Sequence, residues 1–187
     1  MVLYINACVR EQSRTKKLTE YLLQKIDSPV QERRLEDMHM PKADAAFLAE
    51  RDSLIHDGKF GAELFAPARE FAQADTIVIA APYWDLSFPA ALKQYFEQIN
   101  VIGLTFSYNE QGIPVGHCKA KKLYYVTTAG GQIADPAFGF GYVKALAETF
   151  YGIKDCVCFS AEGLDIYGAD VDAILKDAEK RIDEVLQ

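Results

Sequence analysis

The residues with the clearest capacity for chemistry begin just after the first apolar run, in the stretch Cys8-Val-Arg-Glu-Gln-Ser-Arg-Thr15. A helix is predicted to start here, with Ser13 or Thr15 as its cap. Free N–H groups at a helix start can hold one phosphate together with hydroxyls and a guanidinium, and an anion would neutralise basic side chains that the macrodipole disfavours. The alternative is an ordinary capped helix beside solvated basic residues. The candidate phosphate ligands are Arg10, Ser13, Arg14 and Thr15.

A second stretch, Pro82-Tyr-Trp-Asp85, follows another apolar run and contains the only tryptophan of the chain. Tyr83 and Trp84 in a turn could flank a planar ring, and Asp85 could accept a hydrogen bond from that ring. The alternative is that both aromatic rings pack under a neighbouring loop or subunit.

A third stretch, Thr127-Thr-Ala-Gly-Gly-Gln132, supplies Thr128, Ala129, Gly130 and Gly131. Its glycines allow the backbone to approach a ligand closely. The alternative is a plain strand-to-helix turn, which commonly contains the same residues. A phosphate cradle, an aromatic wall and a glycine-rich floor together describe a site for flavin mononucleotide (FMN). The sequence has neither the Gly-x-Gly-x-x-Gly of a dinucleotide site nor a Walker motif.

The elements that must position these stretches alternate between strand and helix. Nearly continuous apolar runs predict parallel strands buried on both faces, and a fifth, more charged run suits a sheet edge. The predicted strands are Val2 to Ala7, Thr76 to Ala81, Leu123 to Thr128, Cys156 to Ser160 and, at the edge, Val30 to Leu35. With amphipathic helices between them, the pattern predicts one α/β domain over residues 1–187, a doubly wound five-stranded parallel sheet with helices on both faces. Ligands of such sheets bind beyond the carboxyl ends of the strands.

Two segments depart from this alternation. Residues 36–59 are polar and irregular, with a short helix predicted around 43–54. Residues 105–117 predict a hairpin with Asn109 to Gly112 as its turn. The sequence assigns a role to neither segment.

The bulk composition narrows the class of partner. The net charge of -7 and the pI near 5.0 disfavour nucleic acid and anionic membranes as partners. We expect a cytoplasmic protein, because the N-terminus lacks a signal peptide pattern and no segment is long and apolar enough to span a bilayer. The three histidines have no metal-binding spacing, and the cysteines Cys8, Cys118, Cys156 and Cys158 are interpreted as buried thiols, with a catalytic cysteine–histidine pair left open.

At this point the sequence resembles a known family, the flavodoxin-like NAD(P)H-dependent oxidoreductases, and in particular the FMN-dependent azoreductases and quinone reductases. The resemblance rests on Ser13-Arg-Thr15, Pro82-Tyr-Trp-Asp-Leu86 with the following Pro89 to Phe96, Gly103 to Tyr108, and Thr128 to Gly131. It implies a flavodoxin-like fold and a homodimer with the flavin near the interface. It also implies two-electron reduction of quinones or azo compounds with NADH or NADPH as donor.

The resemblance further implies roles for single residues. Ser13 and Thr15 would hold the phosphate with Arg14 between them, Pro82 to Asp85 would line the flavin ring, and Thr128 to Gly131 would lie by its pyrimidine edge. The flavin would carry the chemistry, with assistance from Tyr83, Tyr108 or His117. The chain departs from the family in offering Ala7, Cys8 and Arg10 where a serine often stands. The alternatives are an electron-carrier flavodoxin, a flavin-free interaction module, and reduction of iron or chromate by the same flavin.

Overall fold

The computed structural model describes residues 1–186, in which five strands form one parallel sheet. The strands of the chain are β1 (Val2–Asn6), β2 (Val30–Arg34), β3 (Thr76–Ala80), β4 (Phe106–Tyr108), β5 (Pro114–Gly116), β6 (Lys122–Thr128) and β7 (Asp155–Ala161). The sheet order is β2-β1-β3-β6-β7, while β4 and β5 pair separately as an antiparallel hairpin. This arrangement confirms the predicted α/β, flavodoxin-like doubly wound sheet.

Helices cover both faces of the sheet. They are α1 (Arg14–Gln24), α2 (Ala45–His56), α3 (Ala66–Gln73), α4 (Ala90–Ile99), α5 (Phe140–Leu146) and α6 (Val171–Leu186). On one face α1 and α6 pack over Val2 and Tyr4 of β1, and on the other the apolar sides of α3, α4 and α5 pack over Leu3 and Ile5. All five residues of β1 are buried, as expected for a central parallel strand with helices on both sides. Among residues 1–186, none of the helices has the length and apolar character that crossing a membrane requires.

The strand β7 differs from its prediction. It lies at the edge of the sheet, so that Cys156 and Cys158 are only partly buried and not fully inward as expected. Burial nevertheless raises the pKa of Cys156 to about 11 and that of Cys158 to about 12. It also raises the pKa of the buried thiols Cys8 and Cys118, the latter to about 12. All four thiols are therefore protonated at neutral pH, which argues against a nucleophilic cysteine.

The two irregular segments have defined structures. The helix α2 matches the short helix predicted around 43–54. In the hairpin, the Gly112 N–H donates to Asn109 O at 2.9 Å, which confirms the predicted turn. The strand β5 packs so closely on residues 151–152 that a Cβ atom on Gly116 would lie 2.2 Å from the backbone carbon of Tyr151.

Candidate functional site

The three predicted stretches meet in one cavity at the carboxyl edge of β1, β3 and β6, which are adjacent strands. The cavity measures about 420 Å³. It is lined by ten of the twelve predicted ligand residues: Arg10, Ser13, Arg14, Thr15, Pro82, Tyr83, Trp84, Thr128, Ala129 and Gly130. Asp85 and Gly131 lie outside this lining. The sheet order thus brings together residues that are more than a hundred positions apart in the sequence.

The first loop provides hydrogen-bond donors at one end of the cavity. Ser13 is the N-cap of α1, and its Oγ accepts the Lys16 N–H at 3.2 Å. The first N–H groups of a helix have no acceptor within the helix and attract anions. The Arg10 guanidinium lies 5.9 Å from the centre of the Trp84 ring, in cation–π geometry. One end of the cavity therefore combines a helix start, a hydroxyl and cationic groups.

Thr15 lies beneath this loop and contacts the third stretch. Its Oγ1 is 2.7 Å from Thr128 Oγ1, and both side chains are buried. The hydrogen bond between the two hydroxyls joins the start of α1 to the end of β6. The hydroxyl of Thr15 thus has a partner within the protein, and its expected role as a phosphate ligand stays a prediction.

The second stretch forms a tight two-residue hairpin at the cavity mouth. The Trp84 N–H donates to Ser87 O at 2.9 Å, and the Ser87 N–H donates to Trp84 O at 2.8 Å. Between them Asp85 and Leu86 have φ angles of +49° and +70°. This is the geometry of a type I′ turn, which normally has asparagine or aspartate followed by glycine, so the strain falls on Leu86. The turn holds Trp84 beside the cavity at the expense of backbone strain.

Asp85 lies in a neighbouring groove of about 500 Å³ instead of the cavity lining. Leu86 and Phe138, each 58% exposed, border the same groove. Ser87 Oγ donates to Phe138 O at 2.6 Å and so links the turn to the segment before α5. The expected contact between Asp85 and a flavin ring stays a prediction.

The third stretch approaches the loop that follows β7. A Cβ atom on Gly130 would lie 2.4 Å from Asp165 Oδ2, so a larger residue here would require the Asp165 side chain to shift. The Gly163 N–H donates to Gly131 O at 2.9 Å, so Gly131 supports the loop contact from outside the cavity. The backbone of the third stretch therefore holds a second loop beside the site.

Sequence reasoning missed this second loop, which adds Leu164 and Asp165 to the cavity lining. Arg14 Nη1 donates to Asp165 Oδ1 at 2.7 Å. The signal was available, because residues 162–165 follow the last apolar strand in the way that the other stretches follow theirs. The carboxyl ends of all parallel strands meet at one edge of the sheet.

Tyr83 contributes its ring to the cavity wall, while its hydroxyl is buried and makes no hydrogen bond within residues 1–186. The fit of the site to FMN therefore rests on its donor groups and its aromatic wall. The helix start, Ser13 and the arginines suit a phosphate, and Tyr83, Trp84 and Gly130 suit a planar ring.

Two predicted assisting residues lie elsewhere. Tyr108, which is half exposed, and His117 belong to the hairpin and do not line the cavity. His117 Nε2 lies 2.8 Å from Ser107 Oγ. In the described part of the chain, no group of three or more histidine, cysteine, aspartate or glutamate side chains could hold a metal ion.

Comparison with known proteins agrees with the fold and with the family that the sequence resembles. A family model described as a flavodoxin-like fold matches residues 1–186. The chain is 34% identical to the FMN-dependent NADH:quinone oxidoreductase 2 of Clostridium acetobutylicum, over 98% of this chain and 96% of that protein. It is 35% identical to the FMN-dependent NADH:quinone oxidoreductase of Clostridium beijerinckii, over 95% and 93% of the two chains.

Solved structures show the same fold. An azoreductase from Bacillus anthracis superposes with a TM-score of 0.85 at 24% identity, covering 99% of this chain and 97% of that one. An FMN-dependent NADH-azoreductase from the same organism, solved in complex with FMN, gives a TM-score of 0.82 at 22% identity over the same shares.

Proposed function

The chain belongs to the flavodoxin-like fold family that includes the FMN-dependent NADH:quinone oxidoreductases, and on this premise we propose that it is an FMN-dependent NAD(P)H oxidoreductase reducing quinones or azo compounds. The observation that carries the proposal is the single cavity in which a helix start with Ser13 faces an aromatic wall with Trp84. A flavin with a phosphate at the end of its side chain has the matching polarity.

The phosphate end of the cofactor would be held by the first loop. Ser13 would donate its hydroxyl proton, and Arg10 and Arg14 would supply positive charge. The backbone N–H groups at the start of α1 would add further hydrogen bonds without a side-chain reorganisation. Thr15 would support this end from below through its bond to Thr128.

The ring end would be held by the second and third stretches. Pro82, Tyr83 and Trp84 would form one wall, and the backbone of Gly130 would form the floor. When bound, FMN supplies the capacity to accept two electrons from a nicotinamide and pass them to an acceptor. The protein itself orients the ring and excludes water, and N–H groups near Gly130 and Gly131 would stabilise negative charge at the pyrimidine edge.

Donor and acceptor would bind in turn at the same open side of the site, which is a ping-pong cycle. NADH is the donor named for the relatives, and NADPH is the alternative. Initial rates measured while both substrates are varied should give parallel double-reciprocal lines. Intersecting lines would contradict this cycle.

The direct test is an absorbance spectrum of the purified protein, before and after NADH or NADPH is added under nitrogen. Flavin bands that bleach, and that return when a soluble naphthoquinone or an azo dye is added, would support the reductase. Bands that persist with both donors would indicate an electron carrier. A protein that is colourless and fails to bind added FMN would contradict the proposal. The variant Ile113→Ala, at the exposed tip of the hairpin, is a matched control that should behave as the wild type.

We also propose that the chain acts as one domain in a homodimer, as the resemblance to azoreductases implies. The exposed Leu86 and Phe138 beside the cavity mouth are suited to burial against a second subunit. Light scattering should give twice the 20.9 kDa of one chain. A monomeric mass would contradict this part of the proposal.

Use of a nicotinamide donor places the activity where that nucleotide pool is held, so we propose a cytoplasmic location. Cell fractionation should recover the protein with cytoplasmic markers, and recovery in a secreted fraction would contradict it.

A further inference from the structure

The carboxylate of Asp165 lies where an anionic ligand would meet the first loop. Arg14 Nη1 donates to Asp165 Oδ1 at 2.7 Å and to Leu164 O at 3.4 Å. Both side chains also line the cavity. A phosphate that binds Arg14 must therefore share or displace this carboxylate, which carries the same sign of charge as the phosphate.

The backbone fixes the position of Asp165 independently of Arg14. The Asp165 N–H donates to Gly130 O at 2.9 Å, and the preceding Leu164 N–H donates to Ala129 O at 3.2 Å. Asp165 Oδ2 also lies directly against Gly130, where a Cβ atom would collide with it. The backbone of Asp165 thus stays beside the cavity, with its carboxylate within reach of the first loop, when Arg14 turns toward another anion.

We propose that Asp165 competes with the phosphate of the cofactor for Arg14, and that this competition sets how strongly the site prefers FMN to riboflavin. Riboflavin has the same ring as FMN but no phosphate, so its binding does not require an ion pair with Arg14. The inference rests on the proposed function, because it takes FMN as the ligand. Asp165 is a specificity-determining residue that acts through Arg14, and it takes no part in the electron transfer.

The solvent exposure of the Arg14–Asp165 pair determines how much the competition can change the affinity for FMN. The side chains of Arg14 and Asp165 are 39% and 69% exposed, so solvent screens the pair. Exposed ion pairs are worth at most about 1 kcal/mol, which corresponds to about fivefold in affinity. The competition is therefore a modest effect that binding measurements resolve.

The first test is titration of the apoprotein with FMN and with riboflavin, followed by quenching of flavin fluorescence. The substitution Asp165→Asn should lower the dissociation constant of FMN about fivefold, while that of riboflavin stays within about twofold. The control Asp27→Asn removes the same charge from an exposed position at the opposite edge of the sheet and should change neither constant. If Asp165→Asn fails to fold, as judged by its thermal midpoint, Asp165→Ser provides the same charge change.

The second test asks whether the effect passes through Arg14. In an Arg14→Gln background, Asp165→Asn should improve FMN binding less than twofold, and about 1 M salt should remove the gain in the wild-type background because exposed charges are then screened. An equal gain in both backgrounds would show direct repulsion and overturn the competition. Weaker FMN binding in Asp165→Asn would show that Asp165 orients Arg14 for the phosphate, which also overturns it.

The failure of this inference differs from the failure of the proposed function. If wild type binds FMN and Asp165→Asn binds it with the same constant, the inference alone is wrong. If wild type binds neither flavin, the proposed function is wrong and the inference with it.

Discussion

Two cavities within the described residues differ in what lines them, and the larger of the two is the poorer candidate for the functional site. It measures about 860 Å³ and lies beyond the edge strand β2, whereas the candidate site measures about 420 Å³ and lies at the ends of three adjacent strands. The larger cavity is lined by Arg33, Arg34, Met38 and Met40 among others. Volume alone would select the wrong region.

The difference lies in what the charged groups contact. In the larger cavity Arg33 Nε donates to Glu70 Oε2 at 2.8 Å, and Arg34 pairs with Glu36 and Asp37. These arginines already have carboxylate partners on neighbouring elements. In the candidate site Arg14 also has a carboxylate partner, Asp165, but Arg10 lies over an aromatic ring and makes no ion pair within residues 1–186. A charged group without a carboxylate partner, close to a glycine-rich backbone, indicates a binding site better than cavity volume does.

The largest expected effect is the stabilisation of the protein by its cofactor. FMN at about 100 times its dissociation constant should stabilise the fold by about 2.7 kcal/mol, which corresponds to roughly 5–10 °C in the thermal midpoint of a chain of this size. Differential scanning calorimetry measures the shift. The variant Met40→Ala, in the larger cavity, should show the same shift, and a smaller shift in that variant would transfer the site to the larger cavity.

The next effect is the loss of the aromatic wall. Trp84→Ala should weaken FMN binding about 5- to 150-fold, because stacking of an aromatic side chain on a base-like ring is worth about 1–3 kcal/mol. Fluorescence titration with FMN gives the constant. Unchanged binding in Trp84→Ala would show that the ring packs between loops or subunits. The aromatic wall would then no longer distinguish the candidate site from the larger cavity.

The smallest effect concerns the paired arginine of the larger cavity. Arg33→Gln should lower the free energy of unfolding by about 1 kcal/mol, because it leaves the mostly buried Glu70 with fewer partners while Arg33 itself is 39% exposed. Urea denaturation measures this change. FMN binding should be unaffected, and a loss of binding would show that the two cavities act together.

Much of the fold and the site follows from simple patterns. The apolar run at Val2 to Ala7 and its counterparts predicted the parallel sheet, because strands buried on both faces need apolar residues throughout. The charged residues of Val30 to Leu35 correctly predicted an edge strand. The same rule failed for Cys156 to Ser160, because a continuous apolar run does not show whether a strand has neighbours on both sides.

Asp165 was not identified from the sequence, and the reason is different. The loop after β7 reaches the site only because β7 pairs with β6, and pairing order is a tertiary property that no local pattern encodes. The sequence did not reveal the backbone strain either, since Leu86 is an unusual residue for a type I′ turn. Sequence patterns predicted most of the residues that line the cavity, but they did not predict the contacts that restrain those residues.

The bond between the hydroxyls of Thr15 and Thr128 has a consequence for motion. It joins the start of a helix that packs on the sheet to the end of a strand within the sheet, so the two loops they carry are expected to move as one rigid body. The turn at Trp84 is linked instead to the segment before α5 through Ser87. We therefore expect the site to open and close by movement of this turn, while the loops joined by Thr15 and Thr128 keep their positions.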